Sequence, residues 1–308
     1  MLPKVLILMC THNGEAFVRE QIVSCLKQGV LVSDLVIFDW NSTDSTRQII
    51  LEEARKDNRI ELVTKSTAPG PGNSFMAAIR ELINSQYKFD YLALCDQDDI
   101  WIEQKIERQV QHMLQHKDKI LICSDVILID ENGDDLRGQC GQYGPKSYFS
   151  PRFNTLMQDE SIILTNPCIG MTMLLPRSLV RKVASVVVSD NIYMHDWAIC
   201  VVALLCDFKL FINDAVMVKY RQHPKNILGS KQKSLATAFA NSTKHYDKVF
   251  RQYEIVENSL GGNLYLKQKF WWLVGIVIRS RLLSSRGKIF NLLGLSYYFL
   301  QKNVRLKN

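Results

Sequence analysis

At 308 residues, 47% hydrophobic and 22% charged, the chain can fill a sizeable core, and its composition excludes wholesale disorder. Its length allows one large domain or one domain with an appendage, and the second is expected. The net charge of +7 is unevenly shared: residues 219–308 carry 17 Lys or Arg against three acids, a balance of +14 that leaves −7 for residues 1–218.

Apolar runs of strand length alternate with helix-period segments over the first 130 residues, the pattern of βα units around a mainly parallel sheet. Strands are expected at 4–10, 34–39, 60–64, 90–95 and 120–129, with helices at 15–28, 44–56, 74–86 and 101–116 between them. The Pro- and Gly-bearing stretch before Ser74 forbids regular structure and supplies a helix cap. Residues 130–134 form a turn, and the polar stretch 135–160 reads as a loop over a site or an acceptor-side insertion. One or two strands are expected at 161–175, helices at 176–188 and 193–206, and a short strand pair at 207–220. A helical tail runs from about 231 and breaks at Gly261-Gly262-Asn263.

The eight cysteines form no CxxC pair and lie mostly in apolar runs, which predicts reduced, structural thiols. The run Val5–Cys10 is too short for a signal peptide. The longest apolar runs, Ala198–Cys206 and Phe270–Ile278, reach nine residues, against the ~20 that a membrane-spanning helix needs. The expectation is a cytosolic chain without a membrane span.

Three predicted strands end in polar turns. The fourth runs from Leu92 to Cys95 into Asp96-Gln97-Asp98-Asp99. Carboxylates this dense at the carboxyl end of a parallel strand suit a hard divalent cation such as Mg²⁺ or Mn²⁺, which takes one or two of them and fills its other positions with phosphate oxygens and water. A solvated turn that caps the next helix is the alternative. The second strand ends in Asp39, followed by Trp40-Asn41-Ser42-Thr43-Asp44. The first ends in Thr11-His12-Asn13-Gly14-Glu15, without the GxGxxG of a dinucleotide site.

These turns, with Asp96-Gln97-Asp98-Asp99-Ile100-Trp101, resemble the family 2 glycosyltransferases over roughly residues 1–230. Together with His195-Asp196-Trp197 and Tyr220-Arg221-Gln222-His223, they look most like the bacterial rhamnosyltransferases that build surface polysaccharide of the O-antigen type. The resemblance implies a GT-A doubly wound α/β fold over 1–230, with nucleotide-sugar binding at about 1–130, the acceptor side at about 131–230, and a basic amphipathic helical tail at 231–308. It implies metal-dependent, inverting transfer of a sugar, with dTDP-rhamnose the favoured donor, to a glycan or lipid-linked glycan. Donor-binding residues would be Thr11, Asn13, Glu15, Asp39, Asn73, Asp96 and Arg221. Asp98 and His223 would hold Mg²⁺ or Mn²⁺, and Asp196 would be the catalytic base. Trp40 and Cys10 depart from the family pattern, which leaves the base open between thymine and uracil; Trp40 is a candidate to stack on it.

On local chemistry, Asp196 opens an apolar helix beside Trp197, where partial desolvation raises a carboxyl toward a useful proton-accepting range; a helix cap is its other reading, and His195 is the rival base. Arg221 and His223 alternate on an extended segment and so point to one side, where a guanidinium would neutralise a departing diphosphate. A sugar nucleotidyltransferase and a noncatalytic carbohydrate-binding relative are the competing functions. The aromatic and cationic tail reads either as a peripheral membrane surface or as helices packed on the catalytic domain. Nothing in it resembles a nucleic-acid recognition module.

Overall fold

In strand β1 (Val5–Thr11), every side chain from Val5 to Met9 is fully buried; Leu6 and Leu8 enter one core and Val5, Ile7 and Met9 the other. A strand that is apolar on both faces must be covered on both, and burying each such side chain contributes roughly 1.5–3 kcal/mol. The chain is a computed structural model that describes residues 2–67, 69–116, 119–136, 154–187, 192–224, 226, 242–262, 270–280, 283 and 285–305. After β1 come α1 (Val18–Leu26), β2 (Val32–Trp40), α2 (Thr46–Ala54), β3 (Ile60–Lys65), α3 (Pro71–Asn84), β4 (Tyr91–Cys95), β5 (Ile100–Trp101), α4 (Lys105–Gln115) and β6 (Ile120–Ile129). They are followed by β7 (Leu156–Met157), β8 (Leu174–Pro176), α5 (Arg177–Ala184), α6 (His195–Leu205), β9 (Lys209–Arg221), α7 (Ser242–Ser259), α8 (Phe270–Arg279) and α9 (Ser285–Arg305). Helices α3, α5 and α6 fill the core on one face, and α1 and α4 fill the other.

The sheet runs β3-β2-β1-β4-β8-β6-β9-β5, with β7 also paired to β9. Because β1 pairs in parallel with both β2 and β4, the chain steps outward to β3 and returns on the other side of β1. That reversal opens a crevice at the carboxyl ends of β1 and β4, where open α/β sheets receive ligands.

Four segments differ from their sequence patterns. Helix α3 starts at Pro71, inside the stretch expected to be irregular, because proline suits the first turn of a helix, and Gly70 stands at its cap without a side-chain hydrogen bond. The helix expected from residue 101 starts only at Lys105, because Ile100 and Trp101 pair with Lys219 and Val218 of β9. Residues expected as strand over 161–175 form 3-10 turns at Glu160–Ile163 and Gly170–Thr172 before the short β8. In place of a strand pair over 207–220, β9 runs as one strand parallel to β6. Of the predicted loop 135–160, residues 137–153 lie outside the described residues, as do 231–241 of the tail and Asn263.

The described tail helices join the α6 side of the molecule. Tyr246, Phe250 and Tyr253 of α7, Leu273 and Val277 of α8, and Leu295 and Tyr298 of α9 share one core with Trp197, Ile199 and Val201. The described cysteines are free thiols; Cys140 lies outside the described residues. No described helix is long and apolar enough to cross a membrane.

Candidate active site

Side chains sew the crevice turns together. The Gln97 amide brackets the His12 backbone, accepting from its N–H at 2.9 Å and donating to its carbonyl at 3.2 Å. Asn13 adopts a left-handed φ of 51°, so that its N–H reaches Ser42 Oγ (2.9 Å) and its Oδ1 accepts from the Thr43 N–H (2.8 Å). A Cβ on Gly14 would lie 2.3 Å from Gln97 Oε1, so only glycine passes under this bracket. Glu15 and Asp44 exchange bonds across the two turns: Glu15 Oε2 accepts from the Ser45 N–H (2.9 Å), and Asp44 Oδ2 accepts from the Glu15 N–H (3.2 Å). Both carboxylates thereby meet the positive end of α2.

Asp39 is fully buried. Its oxygens accept from Thr11 Oγ1 (3.1 Å), the Ser42 N–H (3.1 Å), the Ser42 hydroxyl and Arg47 Nε. In this arrangement its oxygens are engaged by the turn that carries Thr11, Asn13 and Ser42. Trp40 is likewise a core residue, 7% exposed, packed beside Phe38 and against the Cys10 thiol, so its indole is not free to stack on a base. Asn73, in the first turn of α3, accepts from the Ile192 N–H at 3.3 Å, tying α3 to the approach to α6.

The four residues after β4 have four different environments. Asp96 makes no side-chain hydrogen bond among the described residues. Burial pushes its carboxyl up to about 8, helped by the negative charges of Asp98 and Asp196. Asp98 Oδ2 lies 2.9 Å from His223 Nε2. Asp99 is fully buried; Oδ1 accepts from the Arg221 N–H (3.0 Å), while Oδ2 has no partner among the described residues. Burial, then Asp98 and Asp96, hold the Asp99 carboxyl well above its usual range, and its Oδ1 anchors the end of β9.

Arg221 is 1% exposed. Its Nε donates to the Asp98 carbonyl (2.9 Å), one terminal nitrogen to the Glu131 carbonyl (2.9 Å) and the other to Glu20 Oε2 (2.6 Å), and its guanidinium lies over Phe17. In this arrangement the Arg221 guanidinium is engaged on three sides and holds the Asp98 turn. Arg221 and His223 do reach one side of β9, as their alternation predicted, and both meet Asp98 there.

Across the crevice, Asp196 opens α6 at 6% exposure. Its Oδ1 accepts from the Trp197 N–H at 2.7 Å, and Oδ2 makes no hydrogen bond among the described residues. The rival base, His195, stacks on Phe75 with centroids 4.1 Å apart; its Nε2 is buried without a partner among the described residues, and a Cβ on Gly170 would sit 2.4 Å from it. Burial pushes the imidazole down. His195 is thus a wedged ring held toward its neutral form, and Asp196 keeps one oxygen without a hydrogen bond among the described residues. The turn is held from the tail: Gln252 Oε1 of α7 accepts from the Met194 N–H at 2.8 Å.

Thus Asp96, Asp98, Asp196 and His223 belong to one crevice, Thr11 and Asn13 line its β1 side, and Glu15, Asp39, Asn73 and Arg221 brace its walls. Sequence reasoning missed Gln97, Arg47, Glu20 and Gln252. Gln97 had a signal, a neutral amide inside an acidic turn; Glu20 and Gln252 lie too far along the chain for spacing to reveal them.

Among the described residues, no three His, Cys, Asp or Glu side chains converge as a metal cluster. The donor set still fits a divalent cation shared with phosphate. Asp96 and Asp98 bring negative charge that no described cation offsets at Asp96, and a hard cation binds through one or two carboxylates when substrate phosphates complete its shell. The fit is to a shared seat, not an all-protein cage.

The model of glycosyl transferase family 2 matches residues 6–184. A Shigella flexneri relative described as dTDP-rhamnosyl transferase RfbG is 26% identical over 293 residues, spanning 86% of this chain and 93% of the relative. The Escherichia coli UDP-Glc:alpha-D-GlcNAc-diphosphoundecaprenol beta-1,3-glucosyltransferase WfgD is 34% identical over 112 residues, but the match spans only 36% of this chain and 42% of that protein. An uncharacterized glycosyltransferase of Haemophilus influenzae is 33% identical over 115 residues, again over less than half of its length, 44%. Among solved structures, Staphylococcus aureus TarS residues 1–349 with UDP-GlcNAc aligns over 99% of this chain and 92% of its own, with a TM-score of 0.57 at 15% identity. The mannosyltransferase PcManGT of Pyrobaculum calidifontis, with GDP-Man and Mn²⁺, aligns over 98% and 88% with a TM-score of 0.55 at 11% identity. These likenesses show the fold, a GT-A doubly wound sheet.

Proposed function

The chain belongs to glycosyl transferase family 2, and we propose that it moves a sugar from a nucleoside diphosphate to an acceptor hydroxyl at the β1/β4 crevice, assisted by Mg²⁺ or Mn²⁺. One observation carries this reading: at the end of β4 the Asp96 carboxyl makes no side-chain hydrogen bond among the described residues, while burial and the neighbouring charges of Asp98 and Asp196 hold it above its ordinary range. An acidic cluster left uncompensated at a ligand-binding strand end is a seat for a cation and its phosphates.

Asp96 and Asp98 would hold the ion, with His223 turned toward Asp98. When bound, the ion supplies positive charge to the leaving diphosphate. Thr11 and Asn13 border the donor, on a turn kept rigid by Asp39 and Gln97. Asp196 accepts the acceptor's hydroxyl proton on its free Oδ2 while that oxygen attacks the anomeric carbon and the bond to diphosphate breaks, so the configuration inverts. Arg221 acts through Asp98, as a positioning residue. The donor side would occupy about residues 1–130 and the acceptor side about 131–230.

The description of the Shigella relative favours dTDP-rhamnose as donor, and the description of the E. coli relative favours a diphosphate-lipid glycan as acceptor. Incubation with Mn²⁺ or Mg²⁺ and a panel of nucleotide sugars, with a lipid-linked glycan acceptor in one series and pyrophosphate in a second, tests the reading. Release of nucleoside diphosphate, fastest with dTDP-rhamnose, is expected. Consumption of pyrophosphate with formation of sugar 1-phosphate would replace it with nucleotidyl transfer.

A further inference from the structure

Helices α8 and α9 are apolar on two sides, and among the described residues only one is covered. Leu273, Ile276 and Val277 of α8 and Leu295 and Tyr298 of α9 enter the core. On the outside, Trp271 is 79% exposed and Ile278 58%; on α9, Ile289, Leu293, Tyr297 and Leu300 are exposed at spacings of four, four and three, one stripe of a helix. The two helices run antiparallel. At one end the Phe270 ring meets Phe299, 4.9 Å between centroids, and at the other Lys288 Nζ donates to the Ile278 carbonyl at 2.9 Å. Trp271 therefore neighbours the Leu300 end and Ile278 the Ile289 end, so the outer residues make one strip along the hairpin. A strip of this kind on a folded surface marks an interaction site.

Charge decides what covers it. Residues 258–308 contain nine Lys or Arg and no acid. Two copies of so basic a segment would repel each other, whereas an anionic lipid surface attracts it while the aromatic and aliphatic strip enters the headgroup boundary. No described helix can span the bilayer, which fits a surface-lying hairpin.

We infer that the outer strip of α8 and α9, with Trp271, Ile278, Leu293 and Leu300 as its apolar contacts, docks the protein on an anionic membrane surface. The inference extends the lipid-linked acceptor reading above. Because α7 packs between this hairpin and α6 and holds the Met194 N–H through Gln252, docking would present the Asp196 turn at a fixed height above the lipid. Its test does not use catalysis, so either reading can fail alone.

The full chain should pellet with vesicles of equal parts phosphatidylcholine and phosphatidylglycerol, and at least about tenfold less with phosphatidylcholine alone or in high salt. A Trp271→Ser, Leu293→Ser, Leu300→Ser variant should lose about tenfold or more of that binding, with its melting midpoint and nucleoside diphosphate release unchanged. Brominated lipid should quench the fluorescence of the unsubstituted protein more than that of Trp271→Phe, a readout independent of how the triple variant folds. Equal pelleting of the variant and the parent chain, equal quenching of both, or no pelleting at all would overturn the proposal. So would a dimer, broken by the triple variant, in a chain that ignores vesicles.

Discussion

Replacing Asp98 with Ala removes one of the two carboxylates proposed to hold the cation. Calorimetry should show metal-dependent donor binding weakened by about tenfold or more, while donor binding without metal hardly changes. Lys105 offers a separate residue-scale test. It is fully buried, with Nζ on Gln109 Oε1 at 3.0 Å and 3.9 Å from the Trp101 ring centroid. Burial pushes its ammonium down to about 7 against the opposing influence of Cys95 and Cys25. Its folded value lies below its unfolded one, so between about pH 7 and 10 the unfolded chain holds the extra proton and this group's stability contribution rises with pH. In denaturant titrations, the stability of Lys105→Met relative to the parent chain should fall by about 2 kcal/mol from pH 7 to pH 9; a constant difference would mean that Lys105 titrates normally. The nearness of Asp98 and His223 was legible only as two polar motifs at strand ends, and their pairing at 2.9 Å is what the structure adds. The bracing of Asp39 by Arg47 was not legible, since a carboxylate at a strand end reads the same whether solvent, ligand or a guanidinium fills its lone pairs.

Elements place the site by packing against partners distant in sequence, where pattern reading loses its grip. Apolar runs showed β1, β2 and β4 because both their faces are buried. The two-residue β5 was hidden, because Ile100 and Trp101 also suit a helix start and only β9, more than a hundred residues later, makes them a strand. Two helix-scale contacts give predictions. Gly14→Ala forces a methyl group onto Gln97 and should cost about 1–3 kcal/mol in denaturant unfolding, with donor affinity reduced as the His12 bracket opens. Gln252→Ala removes the acceptor of the Met194 N–H at the head of α6. It should lower kcat several-fold while leaving the donor dissociation constant unchanged, whereas an equal loss in both would mean that α7 supports the whole crevice and not the Asp196 turn.

At the scale of the molecule, βα units around a mainly parallel sheet with polar strand ends followed from alternating apolar runs, and the doubly wound form followed from the resemblance to family 2. The integration of the basic tail did not. Charge marked residues 219–308 as distinct, yet α7 to α9 share the core of α6; composition reports surface chemistry, while the buried stripe of each helix decides where it packs. Truncation after residue 230 should therefore expose the Trp197 side of α6 and lower the melting midpoint or abolish folding. The division of labour between cation seat and base is tested most directly by the rate of nucleoside diphosphate release from Asp196→Asn at saturating donor and metal. The rate should fall by roughly 10²–10⁴-fold, with donor affinity within about threefold of the parent chain. Turnover at the parental rate would contradict the assignment of Asp196 as the base.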